Sequence, residues 1–453
     1  MKKYLILIVL ALSLVVFGFL YQKEQQRLLA FPTAEGGGAN SVGGRGGRVI
    51  EVTNLNSKGE GSLRFACESN GTRTVVFCVG GTIDLGGKDI VIKNDNITIA
   101  GQTAIGDGIQ IKNGGLVVNA SEVIIRYLRL RPGPAHPDVD ALSIASPNRH
   151  ERKKNIIIDH ISAFWGVDET IDSGSFNDNI TVQWSIIAEG LHDSIHSEGK
   201  HSRGIMVTED SRNITLHHNL IYRNYKRNPL IQSSDADVIN NVIINPQYQV
   251  FIQPFKGAVK ANFIGNYFHS YRHKQAPIRI YDYDRGYDSN SGIYYKDNYD
   301  AYFRPDNNRT EKDIRVLHLN KDINDSDGHV QDRSTPYLFE PIEIQSVHKA
   351  YELVLANVGA NYPKRDEADK RIINFIKNGK APKTLVNNPS DVGGWPVLKG
   401  ATPYLDSDHD GMPDRWEKNN GLNSQNENDR NGKDLSGTGY TNLEVYINEL
   451  VEI

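Results

Sequence analysis

The middle of the chain repeats one short pattern, a β-branched apolar run that is opened by a polar turn residue. Most of these runs start about 22 to 34 residues apart, an interval typical of stacked repeats. No helical periodicity lies between them, which argues against alternating strands and helices, and a β-sandwich would need denser hairpin signals. We therefore predict an all-β fold, a right-handed single-stranded parallel β-helix with Asn side chains stacked at the repeated turn. The runs are NITIAG from Asn96, EVIIRYLRL from Glu122, NIIIDHISA from Asn155, NITVQWSII from Asn179, NITLHHNLI from Asn213 and DVINNVIIN from Asp237.

Three segments outside the repeats have helical character. GSLRFACES, from Gly61, predicts a short helix that covers the open end of the solenoid, where strand edges are otherwise unpaired. VHKAYELVLANVGA, from Val347, and DEADKRIINFIKNG, from Asp366, have helical apolar spacing and are expected to pack back on the β-helix. The predicted organisation is residues 1–30 as a signal peptide or anchor, 31–305 as the β-helix domain, 306–400 as a C-terminal extension and 401–453 as a small calcium-binding module.

The N-terminus predicts export. Lys2 and Lys3 precede an apolar run from Tyr4 to Tyr21, the arrangement of a secretory signal. Cleavage near Ala30 would release the protein, whereas the uncleaved run approaches the ~20 residues that span a bilayer. We expect a secreted, cell-surface or periplasmic protein, membrane-associated only if this anchor is retained.

Charge and cysteine content set further limits. The net charge of −4, without a basic stripe, argues against a nucleic-acid partner, and we expect a monomer. Cys67 and Cys78 are compatible with one local disulfide or with two buried thiols, and the sequence leaves both open.

The segment DSDHDGMPDRWE follows the spacing of a calcium loop, in which alternate oxygen ligands surround a sharp turn. We predict a structural Ca²⁺ site that holds the C-terminus, although a solvated acidic turn is the alternative. The segment resembles the DxDxDG calcium repeats that often end secreted bacterial carbohydrate enzymes. The predicted positions are Asp406, Asp408, Asp410, Gly411, Asp414 and Glu417, at 1, 3, 5, 6, 9 and 12 of the loop. A second, looser loop contains Asn428, Asp429, Asn431, Asp434 and Glu444.

A second group of acids lies within the repeats. On a strand, Asp168 and Asp172 share one face and Glu169 points the other way, while Asp138 and Asp140 share a face one run earlier. On adjacent coils, about 4.8 Å apart, these carboxylates would repel each other unless a cation such as Ca²⁺ joined them. A solvated acidic face is the other possibility.

Basic residues follow about two coils later, where HHNLIYRNYKRNPL ends in Lys226, Arg227, Asn228 and Pro229. Cations beside a calcium-binding patch would suit a polyanionic substrate. We expect the histidines nearby to serve turns and stacking rather than zinc, because no thiolate or helical spacing supports a zinc site. These are His192, His196, His201, His217 and His218.

The order of the motifs and the residues within them resemble those of the pectate lyase family (polysaccharide lyase family 1) over roughly residues 31 to 270. The motifs are FPTAEGGGANSVGGRGG, GEGSLRFA, VVFCVGGTIDL, NITIAGQTAIGDGI, VIIRYLRLRPG, DALSI, NIIIDHISAFWGVDETID, NITVQWSIIAE and HHNLIYRNYKRNPL. The resemblance implies a pectin lyase-like parallel β-helix and calcium-dependent β-elimination of a polygalacturonate-like chain.

The resemblance also implies roles for single residues. Asp138 and Asp140 match the first acidic pair of the family's calcium site, and Asp168 and Asp172 match the second. Arg227, in RNPL, matches the first Arg of R-x-P-x-x-R, which is held to take the proton α to the uronate carboxylate. Arg is an awkward base, so whether Arg227 takes the proton or only stabilises charge is left open.

The sequence departs from the family at two places. Gln232 stands where the second Arg of the motif belongs. The substrate-binding Lys has no clear counterpart, and His192, Lys200 and Arg203, together with Lys226, are the candidates. Two other functions remain as alternatives, a β-helix glycoside hydrolase and a non-catalytic polysaccharide-binding β-helix.

Overall fold

The structure is a computed structural model that describes residues 28–244, 248–255, 257–270, 276–281, 290–301, 316–318, 330–380, 382 and 384–451. The apolar N-terminal run predicted to direct export lies outside these residues. Within the described ranges, no helix is both long and apolar enough to cross a membrane.

The repeated runs form a parallel β-helix, as predicted. Successive strands alternate among three sheets, here called A, B and C, and all strand pairs in them are parallel. In the described residues, sheet A has 11 strands and sheets B and C have nine each. The strands are β1 Arg48–Val52, β2 Arg73–Phe77, β3 Gly81–Asp84, β4 Ile90–Ile92, β5 Ile97–Ala100, β6 Ile109–Lys112, β7 Leu116–Val118, β8 Val123–Arg126, β9 Arg129–Arg131, β10 Leu142–Ile144, β11 Lys153–Asp159, β12 Ser162–Phe164, β13 Glu169–Asp172, β14 Asn177–Gln183, β15 Ile186–Ala188, β16 Arg203–Val207, β17 Arg212–His217, β18 Leu220–Tyr222, β19 Leu230–Gln232, β20 Asp235–Ile239, β21 Val242–Ile244, β22 Val250–Gln253, β23 Lys260–Ile264, β24 Tyr267–His269, β25 Ile278–Ile280, β26 Gly292–Lys296, β27 Tyr299–Asp300, β28 Val316–His318 and β29 Gln331–Asp332.

Aliphatic side chains stack in register through the inside of the solenoid. In sheet A, eight consecutive strands place one aliphatic residue at the same level, and each is at most 1% exposed. β-branched side chains suit these positions because they pack well against neighbours on a pleated surface. The stacked residues are Ile97, Val123, Ile156, Ile180, Ile214, Ala236, Ala261 and Ile293.

The predicted asparagine ladder is present at the turn that opens sheet A strands. Asn213 Nδ2 donates to Asn179 Oδ1 over 2.9 Å, and Asn179 Nδ2 donates to Asn155 Oδ1 over 2.9 Å. All three residues have left-handed backbone with φ of 54–57°, a conformation that Asn tolerates better than most residues. A second ladder, which was not predicted, precedes the strands of sheet B. Hydrogen bonds of 2.9–3.1 Å between side-chain amides join Asn219, Asn241, Asn266 and Asn298.

Five α-helices lie in the described residues: α1 Leu63–Glu68, α2 Val347–Asn357, α3 Glu367–Lys377, α4 Asp414–Asn419 and α5 Asn442–Glu449. α1 begins after Ser62, whose hydroxyl accepts the Phe65 N–H over 3.2 Å. Its apolar face joins the end of the core, as predicted. Cys67, in this helix, and Cys78 are free thiols.

Helices α2 and α3 cover the outer face of sheet B, whereas the sequence analysis predicted packing on the β-helix without specifying a sheet. Their apolar side chains, among them Val354 and Ile372, pack on Phe164 and Trp165 of the β-helix. Buried ion pairs, which the sequence did not reveal, also hold the helices. Arg131 forms an ion pair of 2.8 Å with Asp369 of α3. Glu189 forms ion pairs with Arg371 of α3 at 2.7 Å and with Arg223 at 3.1 Å. Sheet B is therefore occupied by the C-terminal extension, whereas the predicted acidic and basic residues lie along sheet C.

Candidate active site

Sheet C brings the predicted acids together on adjacent coils. Asp140 stands two residues before β10 and Asp168 immediately before β13, and these strands pair with Leu142 opposite Ile171. The Asp140 Oδ1 accepts the backbone N–H of Glu169 over 2.7 Å. The parallel coils therefore place Asp140 on the coil next to Asp168 and Asp172, which stand at the two ends of β13.

The environment of these carboxylates favours a cation. Burial and the charges of Asp172 and Asp168 raise the pKa of Asp140 well above its usual value. Burial also raises the pKa of Asp172 to about 6, opposed by the Gly174 N–H. A divalent cation would relieve this repulsion, and carboxylate oxygens are the ligands that Ca²⁺ prefers. These residues therefore fit calcium. Asp89 also raises the pKa of Asp140. The sequence analysis did not identify this contribution, because Asp89 lies two coils before Asp140.

The other two acids of the predicted calcium set differ from this group. Asp138 is exposed. The Glu169 side chain is 2% exposed, in agreement with the predicted strand parity. Its Oε1 contacts Arg227 Nη1 directly, while its Oε2 has no hydrogen-bond partner in the described part of the chain. Glu169 is therefore placed as the counter-ion of Arg227.

Asp168 is turned toward two histidines. Its Oδ1 lies 2.9 Å from His201 Nε2 and 3.5 Å from His196 Nε2. The approach of His201 is the main cause that lowers the pKa of Asp168. The two imidazole rings stack with centroids 3.6 Å apart. The expected stacking of these histidines is thus present, but the convergence of both Nε2 atoms on Asp168 was not predicted.

Two guanidinium groups lie beside the acids. Arg203 begins β16, directly opposite Glu169 in the register of sheet C. The backbone of Arg203 also forms an isolated parallel β-bridge with that of Lys226. Burial lowers the pKa of Arg203 and Arg227, and in both cases the Asp168 charge opposes the shift. The Nε and Nη1 of Arg203 are buried without a hydrogen-bond partner among the described residues. Arg203 therefore presents donors that an anionic ligand could use.

The remaining predicted substrate residues point elsewhere or have structural contacts. Lys200 is exposed and lies 3.6 Å from Asp193. His192 Nδ1 lies 3.1 Å from the His201 carbonyl oxygen, and the His192 ring leans on Tyr225. Lys226 Nζ lies over the Tyr225 ring, 5.3 Å from its centroid. Gln232 Nε2 donates to Gln253 Oε1 over 3.2 Å. Of the predicted substrate residues, half-buried Arg203 is the one that has donors without a partner in the described residues and interacts with Asp168.

The C-terminal acidic segment folds into a compact loop around a Gly-permitted turn. Gly411 has a φ of 91° and its N–H donates to Asp406 Oδ2 over 2.9 Å. Oxygen atoms of Asp406, Asp408 and Asp410 lie within 4.8 Å of one another, and Asp410 forms a second such group with Glu417 and Asp429. Asp429, which belongs to the looser second loop of the sequence analysis, therefore joins the first loop.

Several carboxylate oxygens in this loop are buried and unpaired. Asp410 and Glu417 are both 0% exposed. Among the described residues no hydrogen-bond partner reaches Asp410 Oδ2 or the carboxylate oxygens of Asp408 and Glu417. Burial, together with the charges of neighbouring carboxylates, raises the pKa of Asp406 to about 6, of Glu417 to about 7 and of Asp410 to about 8.

Two acids predicted for this region have other partners. Asp414 accepts the Ser407 N–H and hydroxyl, each over 2.7 Å. Glu444 caps helix α5 with Thr441 and pairs with Arg45 at 2.7 Å. Both carboxylates therefore stabilise the local fold directly.

Comparisons with known proteins agree with the fold and the motifs. The sequence matches no protein-family model. It is 37% identical over 430 residues to the probable pectate lyase C of Aspergillus fumigatus, with 94% of each chain covered. It is also 37% identical over 429 residues to the probable pectate lyase C of Emericella nidulans, covering 94% of this chain and 93% of that one. Among solved structures, the cedar pollen allergen Jun a 1 superposes with a TM-score of 0.52 at 17% identity, over 74% of this chain and 95% of the allergen, which supports the fold alone. The extent of identity to the curated relatives shows that this chain belongs to the pectate lyase family of polysaccharide lyases.

Proposed function

We propose that the protein is an exported enzyme that cleaves pectate, or a related uronate polymer, by calcium-assisted β-elimination. The observation that carries the proposal is the convergence of Asp140, Asp168 and Asp172 with Arg203 and Arg227 on adjacent coils of sheet C. A polymer with a carboxylate on each sugar would meet a metal-binding edge and two guanidinium groups along one face of the solenoid. The N-terminal Lys2 and Lys3 with the following apolar run support export.

The reaction removes the proton next to the uronate carboxylate and breaks the glycosidic C–O bond on the following carbon, which leaves a carbon–carbon double bond. Asp140, Asp168 and Asp172 would hold the cation. Bound calcium would act as a Lewis acid on the uronate carboxylate and make the neighbouring proton more acidic. Arg203 would hold a substrate carboxylate with the Nε and Nη1 donors that have no partner within the described residues.

Arg227 is the residue that we place beside the leaving proton. Burial lowers the pKa of its guanidinium, the direction that a base requires, while Asp168 and Asp140 oppose the shift. The contact with Glu169 stabilises the charged guanidinium. We therefore propose that this ion pair opens when substrate binds, so that Arg227 reaches the reacting carbon.

A second calcium site in the C-terminal module is part of the proposal. The unpaired oxygens of Asp408, Asp410 and Glu417, together with Asp406 and Asp429, supply the oxygen-rich environment that Ca²⁺ takes. The module packs on the first coils of the β-helix, where Met412 and Tyr446 contact Ala100. Calcium there would fix the chain end to the solenoid rather than take part in cleavage.

The test is incubation of the purified protein with polygalacturonate, methyl-esterified pectin and other uronate polymers, with calcium or with a chelator. We expect unsaturated products, detected by ultraviolet absorbance, only when calcium is present. The matched variants are Arg227→Ala, which should give no product, and Lys200→Ala, which should behave as the unsubstituted protein because Lys200 is exposed and paired with Asp193. Saturated products, formed with or without chelator, would refute the lyase proposal and indicate hydrolysis.

A further inference from the structure

The histidine pair beside Asp168 has the composition of a transition-metal site. Asp168, His196 and His201 each direct one ligand atom toward the others, and these atoms all lie within 4.8 Å of one another. Two imidazole nitrogens and one carboxylate oxygen form a donor set typical of Zn²⁺ and related divalent transition metals, whereas Ca²⁺ favours oxygen alone. This donor set differs from both carboxylate groups described above.

The distances fit a small ion. Metal–ligand bonds of about 2.0–2.1 Å in tetrahedral geometry place neighbouring ligand atoms roughly 3.3 Å apart. The Asp168 Oδ1 lies 2.9 Å from His201 Nε2 and 3.5 Å from His196 Nε2, so the two distances bracket that value.

The burial of the rings and the free nitrogen atoms of His201 within the described residues also fit a metal site. The His201 side chain is 4% exposed and that of His196 6%. Neither ring nitrogen of His201 makes a hydrogen bond within the described part of the chain, since Nε2 is close to Asp168 but poorly aligned. A metal ion bound to Asp168 Oδ1 and His201 Nε2 would lie off the line that joins these two atoms. Their poor alignment for a hydrogen bond is therefore compatible with metal binding.

The backbone of the loop holds the two histidines in place. The loop between β15 and β16 is anchored where the His201 N–H donates to the His192 carbonyl oxygen over 2.7 Å and the His192 N–H donates to the Val386 carbonyl oxygen over 2.8 Å. The Val386 segment belongs to the C-terminal extension. The ligands are therefore carried by a loop that is fixed at both the β-helix and the extension.

We propose that Asp168, His196 and His201 form a second type of metal site, which binds Zn²⁺ or a similar transition-metal ion. The site shares Asp168 with the calcium edge of sheet C. Bound Zn²⁺ would therefore occupy Asp168, one of the calcium ligands, and would inhibit cleavage. This inhibition rests on the proposed function, whereas the binding of Zn²⁺ does not.

The test is titration of the metal-depleted full-length protein with Co²⁺, whose visible absorption reports nitrogen coordination, followed by displacement with Zn²⁺. We expect one ion bound through nitrogen ligands, and an affinity at least about 100-fold weaker in His196→Gln and in His201→Gln. His150→Gln is the matched control, because His150 is exposed on a distant turn. Asp410→Asn, in the C-terminal module, should retain the cobalt spectrum. Thermal unfolding verifies that each variant is folded, and the two histidine variants test the site independently.

Unchanged Co²⁺ and Zn²⁺ binding in folded His196→Gln and His201→Gln would overturn the proposal, as would the absence of a nitrogen-ligand spectrum in the unsubstituted protein. These spectra do not depend on lyase activity, so a failed site and a failed proposed function give different results. In the activity assay, Zn²⁺ should raise the calcium concentration needed for half-maximal cleavage. The same Zn²⁺ concentration should have at least tenfold less effect on His196→Gln, and an equal effect would refute the inhibitory role.

Discussion

Replacing Asp410 with Asn in the C-terminal module should have opposite effects on stability in the presence and absence of calcium. The Asp410 side chain is fully buried at the centre of the acidic loop, and its Oδ2 has no hydrogen-bond partner in the described residues. Burial, together with the charges of Asp408, Glu417 and Asp406, raises its pKa from 3.8 to about 8. Without a cation the carboxylate destabilises the folded module, and with one it becomes a ligand.

The magnitude follows from the displaced pKa. A carboxyl that ionises at about pH 8 rather than 3.8 destabilises the folded state by at most ~6 kcal/mol once charged. The neighbouring acids release protons together with Asp410, and the loop is partly open to water, so about 2–3 kcal/mol belongs to Asp410 alone. Calcium at 100 times its dissociation constant contributes about 2.7 kcal/mol. The two effects are therefore similar in size and opposite in sign.

The direction with pH follows from the raised pKa. A carboxyl whose folded-state pKa is raised favours the folded state below its ordinary pKa, and this contribution is lost as the pH rises through the folded-state value. For Asp406, Glu417 and Asp410 that range extends from about pH 4 to about pH 8. The metal-free protein should thus lose stability over this range, and calcium should stabilise it more at pH 8 than at pH 5.

The assay is calorimetric unfolding at pH 5 and pH 8, in chelator and in calcium, with Trp416 fluorescence as a local signal since its indole N–H donates to Glu449 of helix α5. At pH 8, Asp410→Asn should stabilise the module by about 2–3 kcal/mol in chelator and destabilise it in calcium. Glu427→Gln removes the same charge from an exposed position of the module. It should change the stability of the module neither in chelator nor in calcium. A shift of Asp410→Asn in the same direction under both conditions would refute the reasoning.

Four further outcomes are expected. Arg227→Lys keeps the charge but loses the guanidinium geometry, and should lower the rate of unsaturated product formation by roughly 10²–10³; a rate near that of the unsubstituted protein would contradict this role. Arg203→Gln should raise KM for polygalacturonate roughly 10–100-fold, through loss of a charged hydrogen bond, with a smaller effect on kcat. Since burial raises the pKa of Asp172 to about 6, the calcium concentration for half-maximal activity should rise as the pH falls below 6. Asp172→Asn should weaken this dependence without removing it, because the pKa of Asp140 is raised as well. Arg371→Ala leaves the fully buried Glu189 with Arg223 as its one cationic partner in the described residues, beside the Trp165 indole N–H, and should destabilise the protein by about 3–5 kcal/mol in urea unfolding.

The sequence was sufficient for features that repeat from coil to coil. Each Asn that opens an apolar run provides a polar residue able to adopt left-handed backbone, and stacking then aligns Asn155, Asn179 and Asn213. The strand period of two also placed Glu169 on the face opposite Asp168 and Asp172. These properties depend on local backbone geometry, so they can be predicted from a single sequence.

Features that depend on the path of a loop could not be predicted in the same way. His196 and His201 reach Asp168 because the loop between β15 and β16 folds back to sheet C, and nothing in the spacing of HSEGKHS specifies that path. Asp429 joins the first acidic loop for the same reason. The sequence did predict that acids and an Arg would meet on sheet C, but it did not show that Glu169 is the partner of Arg227.

The two acidic groups differ in the charges that surround them, and this difference bears on what calcium does at each. In the active-site group, Arg203, Arg227 and His201 lie beside the carboxylates, and His201 lowers the pKa of Asp168. The acids of the C-terminal module have no such cation beside their buried oxygens in the described residues, and the pKa values of Asp406, Glu417 and Asp410 are all raised. Under the proposed function, folding of the module is coupled to the cation. In the active-site group, by contrast, residues of the chain itself partly neutralise Asp168, whose pKa is lowered, while the pKa values of Asp140 and Asp172 are raised. A site that must exchange substrate gains from this arrangement, because it keeps its geometry while the ion and the polymer leave.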